Sequence, residues 1–223
     1  MAKEPPVRIH RDKLTDLIQG IFAGAGTPSG DARIAAEALV WANLRGIDTH
    51  GVSRVPRYLE MFDSGEAKAA AKMKVSRARP GVILIDADGA PGPVALSQAM
   101  QQAVEAARQT GIAWAGVRGT VHTGAIGYYA SLALQHGMVG IGIVAGIPNM
   151  AYHGARGAAV ATSPIAIAIP AERHPPLLLD MATAVMALGR FQQYKAQGKQ
   201  LPEGAGMTAE GEPTTDPARA TTP

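Results

Sequence analysis

Short apolar runs alternate with longer helical patterns from residue 82 onwards, and this order limits the possible folds more than any other feature. Apolar or β-branched runs predict strands over residues 82–85, 112–117, 138–145, 158–170 and 176–180. Helices are predicted between and after these strands, over residues 94–110, 125–136 and 184–197. Strands that alternate with helices are typical of α/β folds. We therefore predict the α/β (α+β) class, with a β-rich second part.

The first third of the chain is predicted to be helical. Its first helix carries an apolar stripe at helical spacing, formed by Leu14, Leu17, Ile18, Ile21 and Phe22. Ser29 with Asp31 is predicted to cap a second helix that stops at Gly46. A third helix is predicted over residues 51–64. The chain then divides into a helical domain over residues 1–72, a β-rich domain over 73–198 and a tail over 199–223.

The tail is rich in Gly, Pro, Thr and Glu and has no periodic apolar stripe. A segment of this composition is typical of a linker or an extended arm. We expect it to be exposed and to add no strand to the sheet.

Composition and charge argue against several classes of protein. The net charge is only +3, basic residues are scattered and aromatic residues make up 4% of the chain, so we expect no nucleic-acid partner. The absence of cysteine excludes disulfides and thiolate metal sites, and no metal site is expected. The polar start, residues 1–6, and the lack of an apolar run of about 20 residues favour a cytoplasmic protein without a membrane span.

Two glycine patterns invite a dinucleotide-binding interpretation that their surroundings contradict. The first, Gly24-x-Gly26-x-x-x-Gly30, follows a predicted helix, although the Rossmann motif must follow a strand. The second, Gly140-x-Gly142 with Gly146, starts within a predicted strand instead of the turn that opens a helix. We therefore do not expect a Rossmann fold.

His122 is the first candidate for chemistry. It lies between a predicted strand and a predicted helix, the kind of junction where α/β folds place functional residues. Gly119 and Gly124 flank it and would let the backbone approach a ligand, and the start of the following helix would offer free N–H groups to an anion. The alternative is a histidine in a tight turn without a functional role.

A second candidate set lies at the start of the third predicted helix. If the chain is helical from His50, then His50, Arg54 and Arg57 share one face and form a pocket for a carboxylate. The alternative is a solvated basic helix face. Asp180 ends an apolar run, where a carboxylate either caps the next turn or faces a cleft.

Several motifs together resemble the malate/L-lactate dehydrogenase family, which also holds sulfolactate and ureidoglycolate dehydrogenases and reductases of Δ1-piperideine-2-carboxylate. The resemblance is carried by Thr49-His50-Gly51-Val52-Ser53-Arg54, His122-Thr123-Gly124 with Gly127-Tyr128-Tyr129, Ser163-Pro164-Ile165-Ala166, and Leu179-Asp180-Met181-Ala182-Thr183. Pro202-Glu203-Gly204 and Pro213-Thr214-Thr215-Asp216-Pro217 extend it almost to the last residue.

The resemblance implies an NAD(P)-dependent oxidoreductase with a non-Rossmann cofactor domain over residues 73–198 and a substrate side over 1–72. Its substrate would be a small 2-hydroxy or 2-oxo acid, with a cyclic imino acid reduced by NADPH as the alternative. His122 matches the family's catalytic acid/base, with His50 as a second catalytic candidate, and Arg54 and His50 match its substrate site. The cofactor residues would be Gly146, Asp180, Met181 and Ala182. A homodimer is also implied.

Departures from the family pattern affect the predicted site. The family commonly has Asn-Ser-x-His-Phe-Gly around its histidine, where this chain has Gly119-Thr120-Val121-His122-Thr123-Gly124. It also has Val144-Ala145-Gly146 in place of Thr-Asn-Ser, so the polar groups around substrate and cofactor differ.

Family members continue beyond the tail of this chain. We therefore expect that a further segment, in the same subunit or in a second chain, covers the stripe of the first helix. On this expectation the 223 residues alone are poorly folded or inactive, which leaves a non-catalytic fragment that needs a partner as the alternative function.

Overall fold

The computed structural model describes residues 8–152 and 155–222. Residues 1–6 and Pro223, which entered the sequence predictions, lie outside the described residues. The first third contains three helices, α1 (Arg11–Gly24), α2 (Ser29–Leu44) and α3 (Val55–Ser64). Two short 3-10 turns, Asp48–His50 and Val52–Arg54, connect α2 to α3. The predicted helical start of the chain is thus confirmed.

The apolar stripe of α1 is covered by the chain itself. Ile18 and Phe22 are buried against α2 and α3, and Leu14 and Ile21 pack at the edge of the same cluster. Leu17 is 56% exposed and lies outside it. The expectation that a further segment, in the same subunit or in a second chain, covers this stripe is therefore wrong. The stripe is covered within the chain because α2 presents small side chains, Ala32, Ala35 and Ala36, which let the helices pack closely.

The predicted cap of α2 is also wrong. Ser29 is the first helical residue, Pro28 occupies the N-cap position, and no side chain caps the helix. Pro28 has the extended backbone of an N-cap residue, but its ring has no acceptor for the N–H groups of the first turn, and Ser29 lies one residue too late to cap them.

The first sheet contains β1 (Lys74–Arg79), β2 (Val82–Asp86) and β3 (Trp114–Arg118), in the order β1-β2-β3. Strands β2 and β3 are parallel and are connected by helix α4 (Gly92–Thr110). Ile83 and Ile85 of β2 are buried against Ala99 and Ala106 of α4. Strand β1 was not predicted, because all six of its residues are exposed and three are basic, so it shows no apolar pattern.

The second sheet is antiparallel and contains β4 (Gly140–Ile143), β5 (Ile165–Ile169) and β6 (Leu177–Met181). Helix α5 (Gly127–Leu132), continued by the 3-10 turn Ala133–His136, packs on one face of this sheet. The cross-strand row Ile143, Ile165 and Met181 marks one end of the sheet. Strands β4 and β5 lie within their predicted apolar runs and are shorter than them, whereas β6 starts one residue later than predicted and has the predicted length.

The other face of the second sheet is apolar and exposed. Its register places Ile141 with Ile167 and Leu179, Ile143 with Ile165 and Met181, and Ile169 with Leu177. Ile141, Ile143 and Leu177 are 54–58% exposed. Within residues 8–152 and 155–222, no element buries this face, and we call it the aliphatic face.

The segment after helix α6 (Leu188–Ala196) is not the exposed arm that its composition suggested. Leu201, Ala205 and Ala220 are buried in a cluster with Met186 and Phe191. The Nζ of Lys195 donates a hydrogen bond to the carbonyl of Ala220, which ties the segment to α6. The tail prediction failed because a few well-placed apolar residues suffice to anchor an irregular chain. The division at residues 72 and 198 remains a prediction.

No helix in the described part of the chain is long and apolar enough to cross a membrane.

Candidate active site

The segment between α2 and α3 is irregular and held by side-chain hydrogen bonds. Asn43 donates from Nδ2 to Oδ1 of Asp48 (2.6 Å) and accepts at Oδ1 from the Val52 N–H (2.8 Å). The extended backbone of Gly51 separates the two 3-10 turns. The predicted continuous helix from His50 is therefore wrong, because the extended Gly51 interrupts it and Asn43 bonds to Asp48 before the break and to Val52 after it.

Arg54 and Arg57 make different contacts. Its Nε donates to the carbonyl of Thr49 (2.6 Å), and its Nη2 reaches Gly189 in the first turn of α6, where a Cβ would lie only 3.0 Å away. Arg57 instead pairs with Glu66 (2.6 Å) and Glu60 (3.5 Å) at the surface. Of the three predicted basic residues, the fold keeps His50 and Arg54 in the site, and Arg57 is engaged elsewhere.

His122 lies in the loop between β3 and α5, as the sequence predicts. The phenolic oxygen of Tyr58 is 2.9 Å from the His122 carbonyl oxygen and 3.2 Å from its Nδ1. The same loop packs closely against the start of α4, where a Cβ at Gly92 would lie 2.4 Å from the His122 carbonyl oxygen. Tyr129 donates from its hydroxyl to the carbonyl of the neighbouring Thr123. The loop is therefore held from three elements.

The imidazole rings of His50 and His122 stack on each other. Their centroids are 5.6 Å apart and their planes differ by 15°. Burial, together with the smaller effect of the charge of Arg54, lowers the pKa of both histidines to about 4. Both rings are therefore neutral at pH 7, next to a guanidinium that is always charged.

The predicted cofactor residues meet at one end of the second sheet. Asp180, Met181 and Ala182 lie at the end of β6, and Gly146 follows β4, whose last residue pairs in the same row. Thr183 donates its N–H to the carbonyl of Thr162 (2.9 Å), which keeps the segment before β5 at this end too. Gly146 and Met181 are exposed and Ala182 is half-buried.

Asp180 joins this end of the sheet to the loop of His122. Its Oδ2 accepts a hydrogen bond from the N–H of Gly127 (2.8 Å), the first residue of α5. Burial raises the pKa of Asp180, and the Gly127 hydrogen bond opposes that rise. The expectation that the start of α5 offers free N–H groups to an anion is wrong for Gly127, because the Asp180 carboxylate already occupies that position.

Tyr58 is the site residue that the sequence analysis missed. It is only 2% exposed and packs edge to face against Phe22, with ring centroids 6.0 Å apart. A buried tyrosine usually needs a hydrogen-bond partner. Its position four residues after Arg54 was the only available signal.

Residues 9–223 match the family described as malate/L-lactate dehydrogenase. The chain belongs to this family. It is 39% identical over 208 residues to a malate dehydrogenase of Pyrococcus abyssi, covering 93% of this chain and 57% of that protein. It is also 36% identical over 211 residues to a Δ1-pyrroline-2-carboxylate/Δ1-piperideine-2-carboxylate reductase of Pseudomonas putida, covering 95% of this chain and 62% of the reductase.

Solved structures of family members have the same fold. The sulfolactate dehydrogenase of Methanocaldococcus jannaschii is 33% identical and superposes with a TM-score of 0.87, covering 95% of this chain and 61% of that one. The likeness confirms the predicted family and the α/β fold class. This chain spans between 57% and 62% of the length of these three relatives.

Among residues 8–152 and 155–222, no cluster of three or more His, Cys, Asp or Glu side chains is arranged to hold a metal ion.

Proposed function

We propose that this chain carries the substrate and nicotinamide sites of an NAD(P)-dependent oxidoreductase. The reaction is reversible hydride transfer between the cofactor, NAD or NADP, and C2 of a small 2-hydroxy or 2-oxo acid. The observation that carries this proposal is the stacked, neutral pair His50 and His122 beside the charged Arg54. A carboxylate needs a cation, and the reacting oxygen needs a group that exchanges one proton.

Arg54 and His50 form the proposed carboxylate site. The bond from Arg54 Nε to the Thr49 carbonyl holds the guanidinium, which leaves its Nη atoms for a bidentate contact with the acid. His50 stands next to this position with its Nδ1 3.1 Å from Thr49 Oγ1. The half-buried setting strengthens the attraction between the guanidinium and an anion because less water screens it.

His122 is the proposed proton exchanger. In the direction of oxidation, its neutral ring accepts the proton of the substrate hydroxyl as the hydride leaves C2. In the direction of reduction it returns that proton to the carbonyl oxygen. A bound carboxylate offsets the charge of Arg54, which otherwise lowers the pKa of His122, so anion binding brings this pKa closer to neutrality.

The end of the second sheet fits a nicotinamide cofactor. Asp180 uses Oδ2 for Gly127, and its Oδ1 remains available to accept from a carboxamide N–H. The main chain at Gly146, Met181 and Ala182 lies at the same end, and Gly146 has no side chain to keep a ligand away from the backbone. When bound, the cofactor supplies or takes up the hydride. The protein holds the substrate and moves the proton.

A cyclic imino acid is a second candidate substrate. It presents the same carboxylate to Arg54 and a ring nitrogen, instead of an oxygen, to His122. The 36% identity to the reductase of Pseudomonas putida supports this candidate. A homodimer is proposed for the whole protein on the same family basis.

Absorbance of the reduced nicotinamide tests the proposal. Because the stripe of α1 is covered by the chain itself, we now expect the chain to be folded and to reduce NAD or NADP with malate, lactate or sulfolactate, or to oxidise NADPH with Δ1-piperideine-2-carboxylate. The Arg54→Ala variant lacks the proposed carboxylate contact. It should lose most of the rate at low substrate concentration. A folded chain that turns over none of these compounds with either cofactor would contradict the proposal and favour a non-catalytic polypeptide that needs a partner chain.

A further inference from the structure

Tyr58 makes the only side-chain hydrogen bond to the imidazole nitrogens of His122 in the described part of the chain. Its phenolic oxygen is 3.2 Å from Nδ1 and 2.9 Å from the carbonyl oxygen of the same residue. A carbonyl oxygen only accepts hydrogen bonds, so the single phenolic proton of Tyr58 is donated to it. The phenolic oxygen then has lone pairs but no proton left for Nδ1.

This arrangement determines where the imidazole proton lies. With the phenolic proton used, the 3.2 Å contact is favourable only if Nδ1 carries a hydrogen and donates it to the phenolic oxygen. A neutral imidazole has one N–H, so Nε2 is left with a lone pair. Burial raises the pKa of Tyr58, which keeps the phenol neutral and its proton in place.

The contact is rigid on both sides. Tyr58 is nearly fully buried in the core formed by α1, α2 and α3, and its ring packs against Phe22. The His122 loop is held by the close approach of Gly92 and by the hydrogen bond from Tyr129 to Thr123. The helical first third therefore sets the state of a residue that the second part of the chain supplies.

We propose that Tyr58 is a positioning residue that holds His122 in the tautomer with its proton on Nδ1, so that Nε2 is the atom that exchanges a proton with the substrate. The role of Nε2 rests on the proposed function, whereas the tautomer itself is a property of the chain without substrate. Tyr58 acts through His122 and needs no contact with the substrate. The contact resembles the way in which a second group orients the base in other proton-transfer sites.

Nitrogen NMR of the histidine side chains tests this proposal without any turnover. In chain labelled with ¹⁵N-histidine at pH 7, the long-range proton–nitrogen spectrum of His122 should show a protonated Nδ1 and an unprotonated Nε2. The His122→Gln variant identifies the resonances by their disappearance. A wild-type spectrum with the proton mainly on Nε2 overturns the proposal, and this measurement needs no variant at Tyr58.

The Tyr58→Phe variant then tests the cause. Loss of the phenolic oxygen should shift the tautomer ratio towards the Nε2–H form by roughly two- to tenfold, the range expected for one hydrogen bond. Tyr128→Phe is the matched control, because Tyr128 is also buried and its ring packs against Trp41. An unchanged ratio in Tyr58→Phe, or an equal shift in Tyr128→Phe, overturns the proposal. If His122 shows the expected tautomer but the chain has no turnover, the proposed function is wrong and the tautomer assignment remains valid.

Discussion

His50 and His122, 72 residues apart in the chain, lie with their imidazole rings stacked at a centroid distance of 5.6 Å. One ring comes from a 3-10 turn of the helical first third, and the other from the loop that follows β3. Neither part of the chain supplies both histidines. The stack therefore lies where the helical region meets the α/β region, and substrate bound there would contact both.

Replacement of His122 tests its role in proton exchange. His122→Asn keeps a polar side chain but cannot take up a proton, so turnover should fall by about 10²-fold or more. Binding of the nicotinamide cofactor, followed by fluorescence titration, should remain close to that of the wild type. Near-normal turnover would move the role to His50.

Arg54→Lys tests whether a guanidinium holds the acid. A lysine keeps the positive charge but cannot form the two parallel hydrogen bonds of an arginine fork. We expect KM for the acid to rise roughly tenfold, with a smaller change in kcat. Arg57→Lys is the control, because Arg57 pairs with Glu60 and Glu66 at the surface. Equal KM values for wild type and Arg54→Lys would show that Arg54 does not bind the acid.

Acid should destabilise the fold through the two stacked histidines. Their pKa in the folded chain is about 4, compared with 6.5 for an ordinary histidine, so the unfolded chain binds more protons between these pH values. The contribution to stability is complete above pH 6.5 and is lost as the pH falls towards 4. Each histidine contributes up to roughly 2 to 3 kcal/mol over that range.

Urea unfolding at several pH values measures this effect. The His50→Gln/His122→Gln double variant should lose less stability than the wild type between pH 6.5 and 4. Parallel curves for the two proteins would show that these rings are not held neutral.

Gly92→Ala should disturb both stability and the site. The added Cβ would lie 2.4 Å from the His122 carbonyl oxygen and 2.5 Å from the Thr123 Cα, and these are backbone atoms that cannot rotate away. We expect a loss of roughly 1 to 3 kcal/mol in the free energy of unfolding. Gly30→Ala is the matched control, since Gly30 is also in the first turn of a helix and a Cβ there meets nothing within 4 Å. Equal stabilities of the two variants would contradict the close approach.

The aliphatic face of the second sheet should cause concentration-dependent association of this chain. Large exposed apolar patches are association sites, and this one is built from three neighbouring strands. Ile141→Lys should reduce association in sedimentation velocity runs and weaken binding of a hydrophobic dye. Leu84→Lys is the control, because Leu84 is 49% exposed in the first sheet, where it pairs with Ser76 and Gly116. A wild-type chain that stays monomeric at high concentration would count against the prediction.

Helix α1 shows how much of the packing can be predicted from the spacing of apolar residues in the sequence. Its apolar stripe predicted the helix and the buried side chains Ile18 and Phe22, because helical periodicity places residues three and four apart on one face. The pattern did not reveal what covers the stripe. Alanines of α2 and side chains of α3 cover it, and the alanines show little periodic pattern in the sequence.

The order of residues was enough to place His122 at a strand-to-helix junction, and the motifs around His50, Arg54 and Asp180 were enough to indicate the family. These features depend on neighbours in the chain, where apolar periodicity, turn residues and motif spacing act. The tertiary structure alone decided that His50 stacks on His122, that Arg57 turns to Glu66, that Asp180 takes the N–H of Gly127, and that Tyr58 reaches His122. Those contacts join residues 9 to 72 positions apart through the packing of separate elements, and a single sequence holds no local pattern that reports such packing.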